Sequence, residues 1–209
     1  MMTLKSRNIM TNEEKHMHGG PLHAHVGFPV PDVEFEYYHN EKFEKGKLSD
    51  YRGKWLILFF YPADFTFVCP TELEEMANAY ELFQAEGAEV ISVSTDTVFT
   101  HKAWHDHSEA IKKITYPMAA DPTGELCMTF DTYIENEGLS LRGTFVIDPE
   151  GILKLSEVND NSIGRSAKEL LRKLKAAKFV SENEGMVCPA SWEPGKDTLE
   201  PGIDLVGKI

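Results

Sequence analysis

Apolar residues fall in two kinds of run along this chain. One kind is unbroken: Trp55-Leu56-Ile57-Leu58-Phe59-Phe60-Tyr61 contains no polar position, the pattern of a central strand covered on both faces. The other is periodic. Leu73, Met76, Ala77, Tyr80 and Phe83 recur at spacings of three and four, with Glu72, Glu74, Glu75 and Glu81 on the other face, which predicts an amphipathic helix. Further on, Glu89-Val90-Ile91-Ser92-Val93-Ser94 predicts a strand and Val98 to about Lys113 a helix. Thr144–Ile147 and Ile152–Leu155 predict a hairpin about Asp148-Pro149-Glu150-Gly151. A last helix over Ser166 to Phe179 carries Ala167, Leu170, Leu171 and Leu174 on one face, with Ser166 and Glu169 in capping-box spacing. Strand, helix, strand, helix, hairpin, helix is an α/β order with a central mixed sheet flanked by helices.

Periodicity stops at about Val180. Beyond it come Pro189, Pro194, Pro201, several glycines and the apolar Ile203, Leu205, Val206 and Ile209, an extended C-terminal arm whose apolar end needs a neighbouring subunit to cover it. The expected organisation is an N-terminal extension over 1–24, flexible in composition, a single domain over 25–179, and the arm over 180–209. A chain of 209 residues is long enough for one core of this kind. Its net charge of −13, from 21 basic and 34 acidic residues, argues against nucleic acid or an anionic membrane as partner. No apolar stretch reaches membrane-spanning length, and Lys5 and Arg7 have no apolar segment behind them as a signal peptide would. The cytoplasm is therefore expected, and three scattered cysteines fit no structural disulfide framework.

The chemistry is expected where the unbroken strand gives way to the first helix, in Pro62-Ala63-Asp64-Phe65-Thr66-Phe67-Val68-Cys69-Pro70-Thr71-Glu72. Pro70 suits the first helical position, which places Cys69 at the N-cap, facing unpaired amide donors. A thiol attacks as the thiolate, and a free cysteine with a pKa near about 8.5 is mostly protonated at neutral pH. Lowering that value by two to three units requires about 3–4 kcal/mol, whereas a helix N-terminus supplies about 0.3–2 kcal/mol. A cation is therefore expected nearby. Of the five arginines, Arg7, Arg52, Arg142, Arg165 and Arg172, Arg142 directly precedes the apolar Gly143-Thr144-Phe145-Val146-Ile147. If that strand runs antiparallel to the first one, its start lies where Cys69 emerges.

Pro62, Thr66 and Cys69 stand in the spacing of the peroxiredoxin signature: a proline, three residues, a threonine, two residues and the cysteine. Within that family the chain is similar to the alkyl hydroperoxide reductase C group of typical two-cysteine peroxiredoxins. The further matching segments are Thr100-His101-Lys102-Ala103-Trp104-His105, Asp121-Pro122-Thr123-Gly124, Val187-Cys188-Pro189-Ala190 and Asp204-Leu205-Val206-Gly207-Lys208-Ile209. The resemblance runs from about Gly27 to the C-terminus and implies a thioredoxin-like fold. It implies that Cys69 attacks the peroxide O–O bond and becomes a sulfenic acid. Thr66 would hydrogen-bond at the thiolate and the attacked oxygen, and Pro62 would shield the sulfur. Arg142 would hold the thiolate and the developing charge, and Glu72 would orient an arginine. Singly, each residue has a structural explanation: a buried small hydrophobe, a cap or a strand terminator. The ordered set with a second, distant Cys-Pro does not.

Cys188 lies in the arm, and the resemblance assigns it as the resolving cysteine, forming a disulfide with Cys69 of the partner subunit. Such a bond needs the two Cα atoms within about 7 Å, hence local unwinding around Cys69. Cys127, between apolar neighbours, is expected to be a packing residue. The expected substrates are hydrogen peroxide, small organic hydroperoxides and peroxynitrite, with no bound cofactor. The expected reductant is a flavoprotein disulfide reductase or a thioredoxin system. Homodimers assembling to a decamer, and a secondary holdase chaperone activity, also follow from the resemblance. So does resistance to overoxidation, because the Gly-Gly-Leu-Gly segment and Tyr-Phe-bearing terminal helix of sensitive members are absent. A thioredoxin-like disulfide exchanger is disfavoured, since Glu72 stands where a Cys-x-x-Cys would place its second thiol. His16, His18, His23 and His25, and the helical pair His101 and His105, could form a metal-binding module, but solvated histidines without metal are expected.

Overall fold

The computed structural model describes residues 23–208, which leaves the histidines at 16 and 18 and most of the N-terminal extension outside the described residues. In chain order its elements are β1 (Glu34–His39), β2 (Lys42–Lys47), β3 (Trp55–Phe60), α1 (Cys69–Ala85), β4 (Ala88–Ser94), α2 (Val98–His107), β5 (Met118–Ala120) and α3 (Glu125–Thr129). They continue with β6 (Tyr133–Ile134), β7 (Leu139–Ser140), β8 (Arg142–Ile147), β9 (Leu153–Asn159) and α4 (Ala167–Glu182). Seven strands form one sheet in the order β2-β1-β5-β4-β3-β8-β9, with β6 and β7 a separate pair. The β3–β4 and β4–β5 pairs are parallel and the others antiparallel, so the sheet is mixed, as expected.

Burial explains why β3 lacks polar residues. Trp55, Ile57, Phe59 and Tyr61 point into a cluster shared with Leu73, Met76 and Phe83 of α1 and Leu170 and Leu174 of α4. Leu56, Leu58 and Phe60 point into the other, with Leu126, Cys127 and Phe130. One strand therefore builds both cores.

The structure departs from the sequence reading at several places. The β1–β2 hairpin and β5 carried no clear apolar pattern: β2 reads Lys-Phe-Glu-Lys-Gly-Lys and is an exposed edge, where charged residues block further pairing. The helix expected from Val98 to Lys113 ends at His107, and Ile111–Lys113 is a separate 3₁₀ turn. The last helix runs to Glu182, past Phe179. Its N-cap is as read, Ser166 accepting from the Glu169 amide, but the Glu169 carboxylate pairs with Arg172 instead of closing a capping box. The arm is partly covered by its own subunit. Trp192 is buried, stacks on Phe179 with centroids 4.9 Å apart and offers its carbonyl to Arg172. Ile203 and Val206 remain exposed.

Candidate active site

Helix α1 begins one residue earlier than the spacing of Pro70 predicts. Val68, in helical conformation, is the N-cap and makes no side-chain cap, so Cys69 is the first helical residue. Its thiol is fully buried. Strand β8 does run antiparallel to β3, pairing Phe59 with Thr144 and Leu56 with Ile147. Arg142, two residues before Thr144, is thereby carried to the end of β3 where the chain turns towards Cys69. Its Nη1 donates to the Cys69 Sγ at 3.4 Å and to Glu72 Oε2 at 2.7 Å, and its Nε donates to the Asn161 carbonyl at 2.9 Å. Gly143 keeps this strand in place, because a Cβ there would stand 2.6 Å from Thr132 Cγ2 and 2.7 Å from the Phe145 ring.

Glu72, expected on the polar face of α1, is buried instead. The reason is a second arginine, one to which the sequence assigns no role. Arg165, in the loop before α4, donates to Glu72 from its backbone N (2.7 Å), Nε (2.9 Å) and Nη2 (3.1 Å), and to the Gly143 carbonyl and the Thr144 hydroxyl from Nη1. Its guanidinium lies 3.5 Å above the Phe59 ring centroid, a cation–π contact. Burial pushes the Arg165 pKa down and Glu72 opposes that shift. One buried carboxylate thus holds two buried guanidiniums, one of which touches the sulfur. Arg165 lies in an irregular loop 93 positions from its carboxylate partner, so no local periodicity could have signalled it.

Pro62 is buried directly after β3. The Thr66 hydroxyl donates to the Ala63 carbonyl at 2.9 Å; this leaves its lone pairs free to accept. Phe65, with a positive φ of 55°, and Phe67 flank Thr66 and are exposed, so the loop presents an apolar rim to incoming molecules. Arg142 touches both Cys69 and Glu72, whereas Cys188 lies in the arm against α4, its Sγ 3.9 Å from the Ala176 carbonyl. All three cysteines are free. Burial raises the pKa of Cys188, with Arg172 opposing. Burial, then the charge of Asp121, raises that of Cys127 far more, and Cys127 packs in the core as expected.

The expectation of solvated histidines fails at His101. The ring is fully buried, with Nδ1 2.8 Å from Asp64 Oδ2 and Nε2 3.1 Å from the Ala119 carbonyl. The second histidine of the pair, His105, points elsewhere, with Nε2 against the Ile114 carbonyl. Glu41, His105 and Asp106 bring potential metal-ligand atoms within 4.8 Å of one another. The Lys102 ammonium bridges the two carboxylates at 3.1 and 2.8 Å and offsets part of their charge. His23 pairs with Asp131.

Comparison with known proteins agrees with this fold. A family model described as the AhpC/TSA family matches residues 26–156. Alkyl hydroperoxide reductase C of Staphylococcus aureus is 55% identical over 169 residues, spanning 81% of this chain and 89% of that protein. The crystal structure of Enterococcus faecalis AhpC superimposes with a TM-score of 0.76 at 48% identity, covering 78% of this chain and 98% of that one. The reduced 2-Cys peroxiredoxin of Plasmodium vivax superimposes with a TM-score of 0.82 at 32% identity, covering 86% and 94%.

Proposed function

The chain belongs to the AhpC/TSA family and is a thiol-dependent peroxidase of the peroxiredoxin type, and we propose that Cys69 is its peroxide-attacking residue and Cys188 the thiol that closes its cycle. The observation that carries the assignment of Cys69 is the Arg142 guanidinium donating to its sulfur, itself fixed by Glu72. A fixed positive charge beside the sulfur favours an anionic nucleophile. The same donor is placed to stabilise charge on the oxygen that leaves when the O–O bond breaks, without reorganising during the reaction. Sulfur gains oxygen and becomes a sulfenic acid, and the other peroxide oxygen departs as water or alcohol. Thr66 accepts a hydrogen bond from the peroxide, Pro62 excludes water, and Arg165 holds Glu72 so that Glu72 can hold Arg142.

Cys188 then attacks the Cys69 sulfenic acid of the partner subunit, giving a disulfide and water. A flavoprotein disulfide reductase or a thioredoxin system restores both thiols. Hydrogen peroxide and small organic hydroperoxides are the substrates, the latter suiting the apolar rim of Phe65 and Phe67. The working unit is a homodimer within a decamer in the cytoplasm, and exposed Ile203 and Val206 supply apolar surface for contact between copies. No helix among the described residues is long and apolar enough to cross a membrane. Exposed apolar side chains also support a secondary holdase activity. Peroxide consumption with dithiothreitol as reductant tests the assignment. The Cys69→Ser variant should consume none above background, while Cys188→Ser should retain turnover through the external thiol. Undiminished turnover by Cys69→Ser would overturn it.

A further inference from the structure

The segment between β3 and α1 has no regular structure, yet it keeps the Cys69 sulfur fully buried. No second thiol can reach the sulfur in this state, so disulfide formation requires this loop to open. The interactions holding it shut centre on Asp64. Its carboxylate accepts from the Tyr61 hydroxyl at 2.7 Å and faces His101 Nδ1 at 2.8 Å, and its backbone N donates to Asp96 at 2.8 Å. Asp96 is anchored in turn by the Ser94 hydroxyl, and its pKa is raised by burial and then by the charge of Asp64. Both His101 nitrogens face oxygen acceptors, Asp64 and the Ala119 carbonyl. Both side chains are 0% exposed. Trp104, one turn further along α2, packs against Phe65 at 5.8 Å between centroids, so the same helix face grips the loop twice.

The reaction as described uses none of these groups, although buried polar side chains are accommodated where they are hydrogen-bonded, as these are. We propose that His101 is a positioning residue: through Asp64 it clamps the loop over Cys69 and sets how the Cys69 sulfenic acid divides between two fates. In one, the loop opens and Cys188 displaces the sulfenic oxygen as water, forming the disulfide. In the other, the loop stays shut and a second peroxide transfers an oxygen to the same sulfur, giving a sulfinic acid and releasing water or alcohol. The inference rests on the proposed function for its chemical readout but not for its conformational one.

The test compares full-length wild type with His101→Gln, and with Tyr61→Phe, which removes one bond to Asp64 and leaves the His101–Asp64 contact. Hydrogen exchange of the amides in residues 61–68 of the reduced protein reads the clamp without any chemistry. It should accelerate roughly fivefold or more in His101→Gln, with the strands β3, β4 and β8 unchanged, and less in Tyr61→Phe. A series of peroxide doses followed by intact mass and peptide mapping reads the partition. Sulfinate at Cys69 should fall relative to disulfide by a similar factor. Should His101→Gln fail to fold, the smaller change in Tyr61→Phe must still appear in both readouts. Unchanged loop exchange, or acceleration spread evenly over the sheet, would overturn the clamp whatever Cys69 does. Faster loop exchange with an unchanged sulfinate-to-disulfide ratio would overturn its control of the partition. Absence of any oxidation at Cys69 in wild type would count against the proposed function, while the exchange result would still decide the clamp.

Discussion

Replacing Glu72 with glutamine changes one buried charge with almost no change in shape. The carboxylate accepts four hydrogen bonds: Oε1 from the Arg165 backbone N and Nε, Oε2 from Arg142 Nη1 and Arg165 Nη2. A glutamine offers one acceptor oxygen, so in either orientation its amide nitrogen confronts two donors. It also leaves two guanidiniums, each 3% exposed, without their counter-charge. Removing one partner of a buried ion pair costs about 3–5 kcal/mol. Losing two charge-assisted hydrogen bonds at about 1.5–3 kcal/mol each gives a similar figure. For a chain of this length, Tm should fall by roughly 6–20 °C. Freed from Glu72, Arg142 should no longer hold its position at Cys69, and losing one such preorganised donor slows catalysis by about 10²–10³-fold. Calorimetry reads the first effect and stopped-flow oxidation of Cys69 by a small excess of hydrogen peroxide the second. A Glu72→Gln protein with Tm within about 2 °C of wild type and an unchanged oxidation rate would refute the argument that this carboxylate organises the site.

The further expectations concern the thiols and the arm. Cys127 is held protonated by burial and by Asp121, so iodoacetamide on the native protein at pH 8 should label Cys188 and leave Cys127 unlabelled; labelling of both at similar rates would contradict its burial. Because burial raises the Cys188 pKa, its thiolate fraction is depressed at neutral pH. Disulfide closure from pre-formed sulfenic acid should keep accelerating above about pH 8.5, the ordinary thiol value, and a plateau below pH 8 would contradict the sign. Trp192→Ala removes the stack on Phe179 that pins the arm. Cys188 alkylation should then quicken by about tenfold, the factor equivalent to about 1.4 kcal/mol, and an unchanged rate would mean that other contacts hold the arm.

Much of the site was legible because its residues lie in runs with strong local signals. The unbroken apolar stretch of β3 and the spacing of Pro62, Thr66 and Cys69 located the reactive loop, and Arg142 at the head of a second apolar strand followed from requiring a nearby cation. What stayed hidden depends on contacts far apart in sequence. The resemblance gave Glu72 an arginine to orient, but its burial and its second partner, Arg165, 93 positions away, were not legible along the helix. His101 looks like a solvated helical histidine because its partner Asp64 is 37 positions away. Strand β2 escaped notice because an exposed edge strand has no need of apolar alternation. The shift of the N-cap from Cys69 to Val68 is of the size by which helix ends ordinarily vary.

The proposed chemistry turns most directly on the fate of Cys69 and Cys188. Fully reduced protein treated with one equivalent of hydrogen peroxide, then analysed by intact mass under non-reducing conditions and by mapping of linked peptides, should give a covalent dimer joined through Cys69 and Cys188. An unmodified chain, or oxidation spread over the methionines and Cys127, would contradict it.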